Sequence, residues 1–316
     1  MSTFLSTANM VLPMFLIVIA GYEVRRFGVL QESVAVRLNN LCYRVLIPCS
    51  MFRSALRLRF ERQYLWYGLF LFAAFLITAA VLVAIVPRFV PDRRQAGAVV
   101  QTCFRCNIAI LGHSLMVSVC GEENIAPMVI AIAVATLACN IAVPMEMTYF
   151  SGDETKGKLT PARVGMEFVH NPLVIGTALG VAANLLGLSL PVALSKPIAD
   201  LAASATPIAM LSVGLRLDFA SISGNRRIIA FSSFVKLIAF PLVWTLAAAA
   251  LGFREYELAT IVIGLGLMTV TIAPAVAEAY GCDGKISGDI LIVQTVCAMF
   301  TLFFGVWTIR ALGIIP

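Results

Sequence analysis

The stretch "FRCNIAILGHS", residues 104–114, decides how this chain is read. It sets Arg105, Asn107, Gly112, His113 and Ser114 between two strongly apolar runs. Everything around it is greasy: 60 % of the 316 residues are apolar and 13 % are charged. Soluble chains carry about 25 % charged residues, so the composition is that of an integral membrane protein. An arginine at the centre of a membrane helix costs at least about 2.5 kcal/mol. Polar residues inside an apolar span therefore need a purpose.

Reading outward from that stretch gives ten apolar runs. They cover about 4–24, 35–56, 64–86, 95–119, 125–149, 172–188, 193–215, 228–251, 258–279 and 286–309. A helix needs roughly 20 residues to cross about 30 Å of hydrocarbon. The short alternating segments of a β-barrel do not occur, so the expected fold is all-α and polytopic. The N-terminal run lacks a basic leader and is expected to be a retained first span.

The polar stretch "SGDETKGKLTPARVG" divides the chain near its middle. Repeat one is expected over 1–150, a linker over 151–163 and repeat two over 164–316. Sliding the sequence by 159 positions puts Pro13 on Pro172, Gly21 on Gly180, Gly28 on Gly187, Pro48 on Pro207, Met51 on Met210 and "LRL" 56–58 on 215–217. Half of these eight identities are Gly or Pro, which report backbone geometry rather than greasiness. Five spans per half is an odd number, so the second half enters from the opposite side: a 5+5 inverted repeat. Secondary transporters use this architecture, with the site near mid-membrane. With both termini outside, thirteen Lys and Arg fall in inner loops against six outside, among them Arg53, Arg57, Arg59 and Arg62. The basic balance thus reads as loop charge, not nucleic-acid binding.

Span 9, "GLGLMTVTIAPAVAEAYG", is the counterpart of span 4. Aligning Gly121 on Gly281 sets Ser114 opposite Pro274 and Gly112 opposite Ile272. Pro274 lacks an amide hydrogen and is expected to break span 9, with Thr269 and Thr271 placed to satisfy freed carbonyls. Gly112 is expected to mark a matching weak point. Broken backbone at membrane depth is tolerated only in protein or beside a wet cavity, and half-helix ends carrying free amides can hold an anion. The spacing therefore points to a substrate site.

Four motifs in order carry a family resemblance: "NIAILGHSL", "KPIADLAASATPIAMLSVGLRL", "FVKLIAFPLVW" and "IAPAVAEAYG". They resemble the auxin efflux carrier family, which includes plant PIN proteins and bacterial malonate-type permeases. The resemblance implies ten transmembrane helices with broken, crossing helices 4 and 9, similar to sodium/bile-acid symporters. It implies a scaffold of helices 1, 2, 6 and 7, a transport domain of helices 3, 4, 5, 8, 9 and 10, elevator-like movement and small carboxylate substrates. By motif position Asn107 matches the crossover asparagine and Pro274 the crossover proline. Ser114 stands where the family usually has proline.

Other polar residues have two readings each. Arg105 is a counter-charge for a carboxylate, or an ion-paired or snorkelling side chain. His113 is a proton switch or a packing residue. Glu278, Asp200 and Lys236 are candidates for coupling H+ or Na+; Asp200 and Lys236 could instead pair with each other or with Arg44. Glu146 is expected at the interface. Cys103 and Cys106 form a CxxC without a second ligand pair, so neither metal nor cofactor is expected. The histidines His113 and His170 show no catalytic spacing, no GxxxxGK[ST] loop is present, and an enzyme is not expected. The expected protein is an organic-anion carrier of the cytoplasmic membrane, with a homodimer through the scaffold implied by the resemblance. The rivals are a cation/proton antiporter or sodium symporter of the same fold, then a channel or receptor.

Overall fold

A computed structural model describes residues 2–56, 63–151, 166, 169–188, 190–217, 222 and 226–315. The linker and the loop arginines Arg57, Arg59 and Arg62 lie outside them. Among the described residues there are helices and no strands. The first half holds α1 (Ser2–Arg26), α2 (Glu32–Leu41), α3 (Ile47–Ala55), α4 (Gln63–Ile85), α5 (Arg93–Phe104), α6 (His113–Cys120) and α7 (Ala126–Ser151). The second holds α8 (Pro172–Leu185), α9 (Val192–Gly214), α10 (Arg226–Phe234), α11 (Phe240–Ala250), α12 (Glu255–Leu265), α13 (Ala273–Ala279) and α14 (Gly284–Ala311).

Six helical segments among the described residues are long and apolar enough to cross a membrane: 63–88, 93–120, 126–151, 192–214, 226–250 and 284–311. Their outer faces carry exposed Leu65, Trp66, Leu69, Leu242, Leu246, Phe300 and Phe304. An apolar exterior of this extent would be an aggregation surface in water; it is the face a polytopic membrane protein offers to lipid. Segment 93–120 is different. It is 78 % buried across its apolar window, against 33–44 % for the other five. The polar stretch is thus mostly enclosed by protein, with Arg105 half-buried.

Two π-helical turns precede prolines: Cys42–Leu46 ahead of Pro48, and Val235–Ala239 ahead of Pro241. A proline ring clashes with the carbonyl four residues back, and a wider turn relieves that clash while letting the helix continue. Helix starts are capped by side chains: Asp92 accepts from Gln95 N at 3.0 Å, Asp283 from Ile286 N at 3.0 Å and Asn171 from Leu173 N at 2.9 Å.

Small residues let the backbones of the first and second halves touch. A methyl group added at Gly21 on α1 would fall on the Leu211 carbonyl of α9, with Gly214 Cα at 3.1 Å. One added at Gly180 on α8 would fall on the Phe52 carbonyl of α3, beside Ala55. Gly28 and Gly187 both take positive φ, +72° and +62°, after their helices, as do Gly121 and Gly281 at +82° and +81°. Glycine adopts this conformation without a Cβ penalty.

Candidate functional site

Segment 93–120 is not one helix. α5 ends at Phe104; Arg105, Cys106 and Asn107 are non-helical, and a π-helical turn over Ile108–Gly112 leads into α6. The interruption therefore falls before Gly112, where the sequence reading had placed it. A β-side chain at Gly112 would sit 3.1 Å from both Ile108 Cγ1 and Leu267 Cδ1, so the glycine serves close packing instead. The second interruption runs from Gly266 to Ile272, and Pro274 lies in the first turn of α13. A proline is accepted there because that amide has no helical partner in any case.

The two interruptions meet. Asn107 N donates to Met268 O at 3.0 Å, while Asn107 O accepts from Leu111 N at 3.0 Å. Buried glutamines brace the junction. Gln101 Nε2 donates to Ala273 O at 2.9 Å; Gln294 Oε1 accepts from Thr269 N at 3.0 Å, and its Nε2 reaches Thr102 O at 3.2 Å. An amide carries both a donor and an acceptor, so one glutamine can serve backbone groups of both broken segments. The sequence reading missed Gln101 and Gln294, although an amide within an apolar run is itself the signal.

Lys236 is fully buried beside this junction. Its Nζ lies 2.5 Å from Leu265 O and 3.0 Å from Cys106 Sγ, and 5.0 Å over the Phe240 ring. Leu265 O is the last carbonyl of α12, where the helix dipole is negative. The ammonium thus sits on the C-terminal end of one half-helix and touches the other interruption. Asp200 is elsewhere: its exposed carboxylate meets Lys196 Nζ at 3.3 Å, one turn away on α9. The expected pairing of Asp200 with Lys236 is therefore corrected.

Thr271 Oγ1 accepts from Asn39 Nδ2 at 3.0 Å, and Thr271 O accepts from Arg216 Nη1 at 2.8 Å. Thr269 Oγ1 has no partner. Neither threonine hydroxyl satisfies the carbonyl four residues before Pro274, which corrects that expectation: Val270 O accepts from Ala273 N at 3.0 Å, while Gln101 and Arg216 bond the neighbouring Ala273 and Thr271 carbonyls. His113 Nε2 lies 3.3 Å from Ser50 Oγ on α3, and Ser114 Oγ bonds Ile110 O at 2.9 Å within its own helix. Glu278 is exposed on α13. Arg105 Nη1 donates to Gln101 Oε1 at 3.0 Å. Glu146, expected at the interface, is 3 % exposed and lies inside the protein.

Three polar atoms at the junction are buried and unpartnered: Asn107 Nδ2, Thr269 Oγ1 and Asn39 Oδ1; Arg105 Nε adds a fourth nearby. Buried polar groups are almost always hydrogen-bonded, so a cluster of exceptions marks a place built for something else. The Asn107 amide, the Thr269 hydroxyl and the Arg105 guanidinium are donors and suit an anion, whereas Asn39 Oδ1 can only accept. An apolar cavity of about 30 Å³ adjoins them, lined by Phe15, Val18, Met210, Leu267 and Met268. That is room for a water or two.

Comparison with known proteins follows the same lines. A family model described as "Membrane transport protein" matches residues 7–306. An "Uncharacterized transporter" of Methanothermobacter thermautotrophicus is 22 % identical over 304 residues, 95 % of this chain and 97 % of its own. A protein named "Putative malonate transporter" from Rhizobium meliloti is 23 % identical over 211 residues, 66 % of each chain. With two interrupted helices joined at a buried polar junction and a family match along nearly its whole length, the chain belongs to the membrane transport protein family of auxin efflux carriers.

Proposed function

We propose that the chain is a secondary transporter that carries a small organic anion, a malonate-like carboxylate, across the cytoplasmic membrane. The observation that carries this reading is the junction of Asn107 and Met268, surrounded by buried donors without partners. Asn107 Nδ2 and Thr269 Oγ1 hold the carboxylate, Arg105 supplies the counter-charge, and Gly112, His113, Ser114 and Pro274 shape the surround. The name of the Rhizobium meliloti relative supports a dicarboxylate.

Ten spans in a 5+5 inverted repeat fit the contacts best. Gly21 packs on Leu211 and Gly214; shifted by 159, these become Gly180 on Phe52 and Ala55, the other close contact. Such exchange of partners is what a two-fold axis in the membrane plane produces. Helices α1, α2–α3, α8 and α9 form the scaffold and the others an elevator. The tie points that break on movement then include Asn39–Thr271, Ser50–His113, Arg216–Thr271 and Arg53–Glu122. Both termini face outward, and a dimer forms through the scaffold. Lys236 occupies the crossing as a fixed cation on the Leu265 carbonyl, a place where discontinuous helices otherwise coordinate Na+; no Na+ is required.

The test is a thermal-shift screen of purified protein with mono- and dicarboxylates, with and without Na+, followed by uptake into liposomes. A ligand of the folded state raises the melting temperature by mass action. Stabilisation by malonate independent of Na+ is expected. A response to Na+ alone, with none to any anion, would replace the reading by a cation carrier.

A further inference from the structure

Glu146 is a carboxyl with nothing to hold it. It lies in α7, two residues after Pro144 and five before the helix ends at Ser151. At about 1.5 Å per residue this is roughly 7 Å inside the helix end. Its side chain is 3 % exposed, and neither oxygen receives a hydrogen bond. An isolated buried carboxylate is far too costly to persist. It must be matched by a cation or carry a proton.

The cation at hand is Arg105, which acts on Glu146 electrostatically from the first interruption. The guanidinium is not spent: Nη1 goes to Gln101 Oε1, and Nε has no partner. The other groups that feel the charge of Glu146 are thiols, Cys103 on α5, Cys139 on α7 and Cys282 before α14. α4, packed along α7, has no charged residue over Gln63–Ile85. On α5, Arg93 is engaged with the Tyr149 carbonyl at 2.6 Å and with its ring. Arg94 is exposed at the start of α5, and Lys236 is committed to Leu265 and Cys106. Arg105, two residues before Asn107 in the first interruption, is thus the cation that acts on Glu146.

We propose that Glu146 is the proton-binding group of the carrier, and that its ionised form competes with the transported anion for Arg105. With a proton on Glu146, the guanidinium is free to take a substrate carboxylate. With Glu146 ionised, the guanidinium is claimed inside the protein. Proton and anion therefore bind together, the device of a symporter, and each raises the affinity of the other by the same factor. The inference rests on the proposed anion site for Arg105, but proton binding at Glu146 does not.

Infrared difference spectra of the purified protein, stepped from alkaline to acid pH, test the proton site without any substrate. A carboxylic C=O band that is absent from Glu146→Gln and shifted in Glu146→Asp is expected. If Glu146→Gln does not fold, the shift in Glu146→Asp alone decides. A band unchanged in both variants overturns the proposal. Malonate binding across the same pH range tests the competition. Apparent affinity of the wild type is expected to fall by up to about tenfold per pH unit where the competent form becomes minor, and Glu146→Gln is expected to flatten that slope. The same slope in Glu146→Gln overturns the competition. A band that depends on Glu146, with no malonate binding to the wild type, would sink the malonate reading and leave the proton site standing.

Discussion

Replacing Asn107 by alanine separates binding from folding at the junction. The contacts that hold the backbone here are main-chain: Asn107 N to Met268 O at 3.0 Å, and Asn107 O from Leu111 N and Gly112 N at 3.0 and 3.3 Å. Alanine keeps all three. The side-chain Nδ2 is buried without a partner, and an unsatisfied buried donor costs about 1–3 kcal/mol. Truncation removes that cost together with a few packing contacts, so the empty protein should be as stable as the wild type or more so. Binding goes the other way. A hydrogen bond to a charged group contributes about 1.5–3 kcal/mol, which is about a 10- to 150-fold loss of affinity. The assay is paired: thermal unfolding in detergent without ligand, and malonate binding by calorimetry on the same samples. Unchanged affinity would remove Asn107 from the site. A large fall in the stability of the empty protein would show that the side chain is structural after all.

Gly214→Ala should destabilise by about 1–3 kcal/mol, because the added carbon would fall on the Val18 carbonyl and within 2.8 Å of Tyr22 N, both backbone. Gly288→Ala, whose nearest neighbour would be Pro274 Cγ at 3.8 Å, should stay within about 0.5 kcal/mol; equal unfolding shifts would contradict the packing. Burial pushes the Cys282 thiol, in the turn before α14, up to about 11. Since the thiolate is the reactive form, its alkylation by a maleimide at pH 7 should be slow and rise about tenfold per pH unit until pH approaches that value. A rate that levels off near pH 8.5 would place the thiol in water. Arg53 and Glu122 form a two-pronged pair at 2.9 and 3.0 Å, with side chains 24 % and 36 % exposed. Arg53→Ala should cost only about 0.2–1 kcal/mol and less in high salt, as read from unfolding at two ionic strengths.

Hydropathy is a local property, and what depends on it was legible along the chain: helices in a membrane, and polar residues in the wrong solvent at 105–114 and 269–278. Glycine and proline also speak locally. The positive φ at Gly28, Gly121, Gly187 and Gly281 and the place of Pro274 in the first turn of α13 follow from the residues themselves. Partnership does not. An ionisable side chain in a span is costly wherever it lies, so Asp200 and Lys236 look equally in need of explanation, while Glu146 is expected at the interface. Tertiary packing sent Asp200 outward to Lys196, set Lys236 on the Leu265 carbonyl, and enclosed Glu146 inside the protein. Likewise the break at Arg105–Asn107 is tied by a bond from Asn107 N to Met268 O, a pairing that no run of residues around either one encodes. Sequence periodicity says which groups cannot face lipid; only the packed helices decide which groups they meet instead.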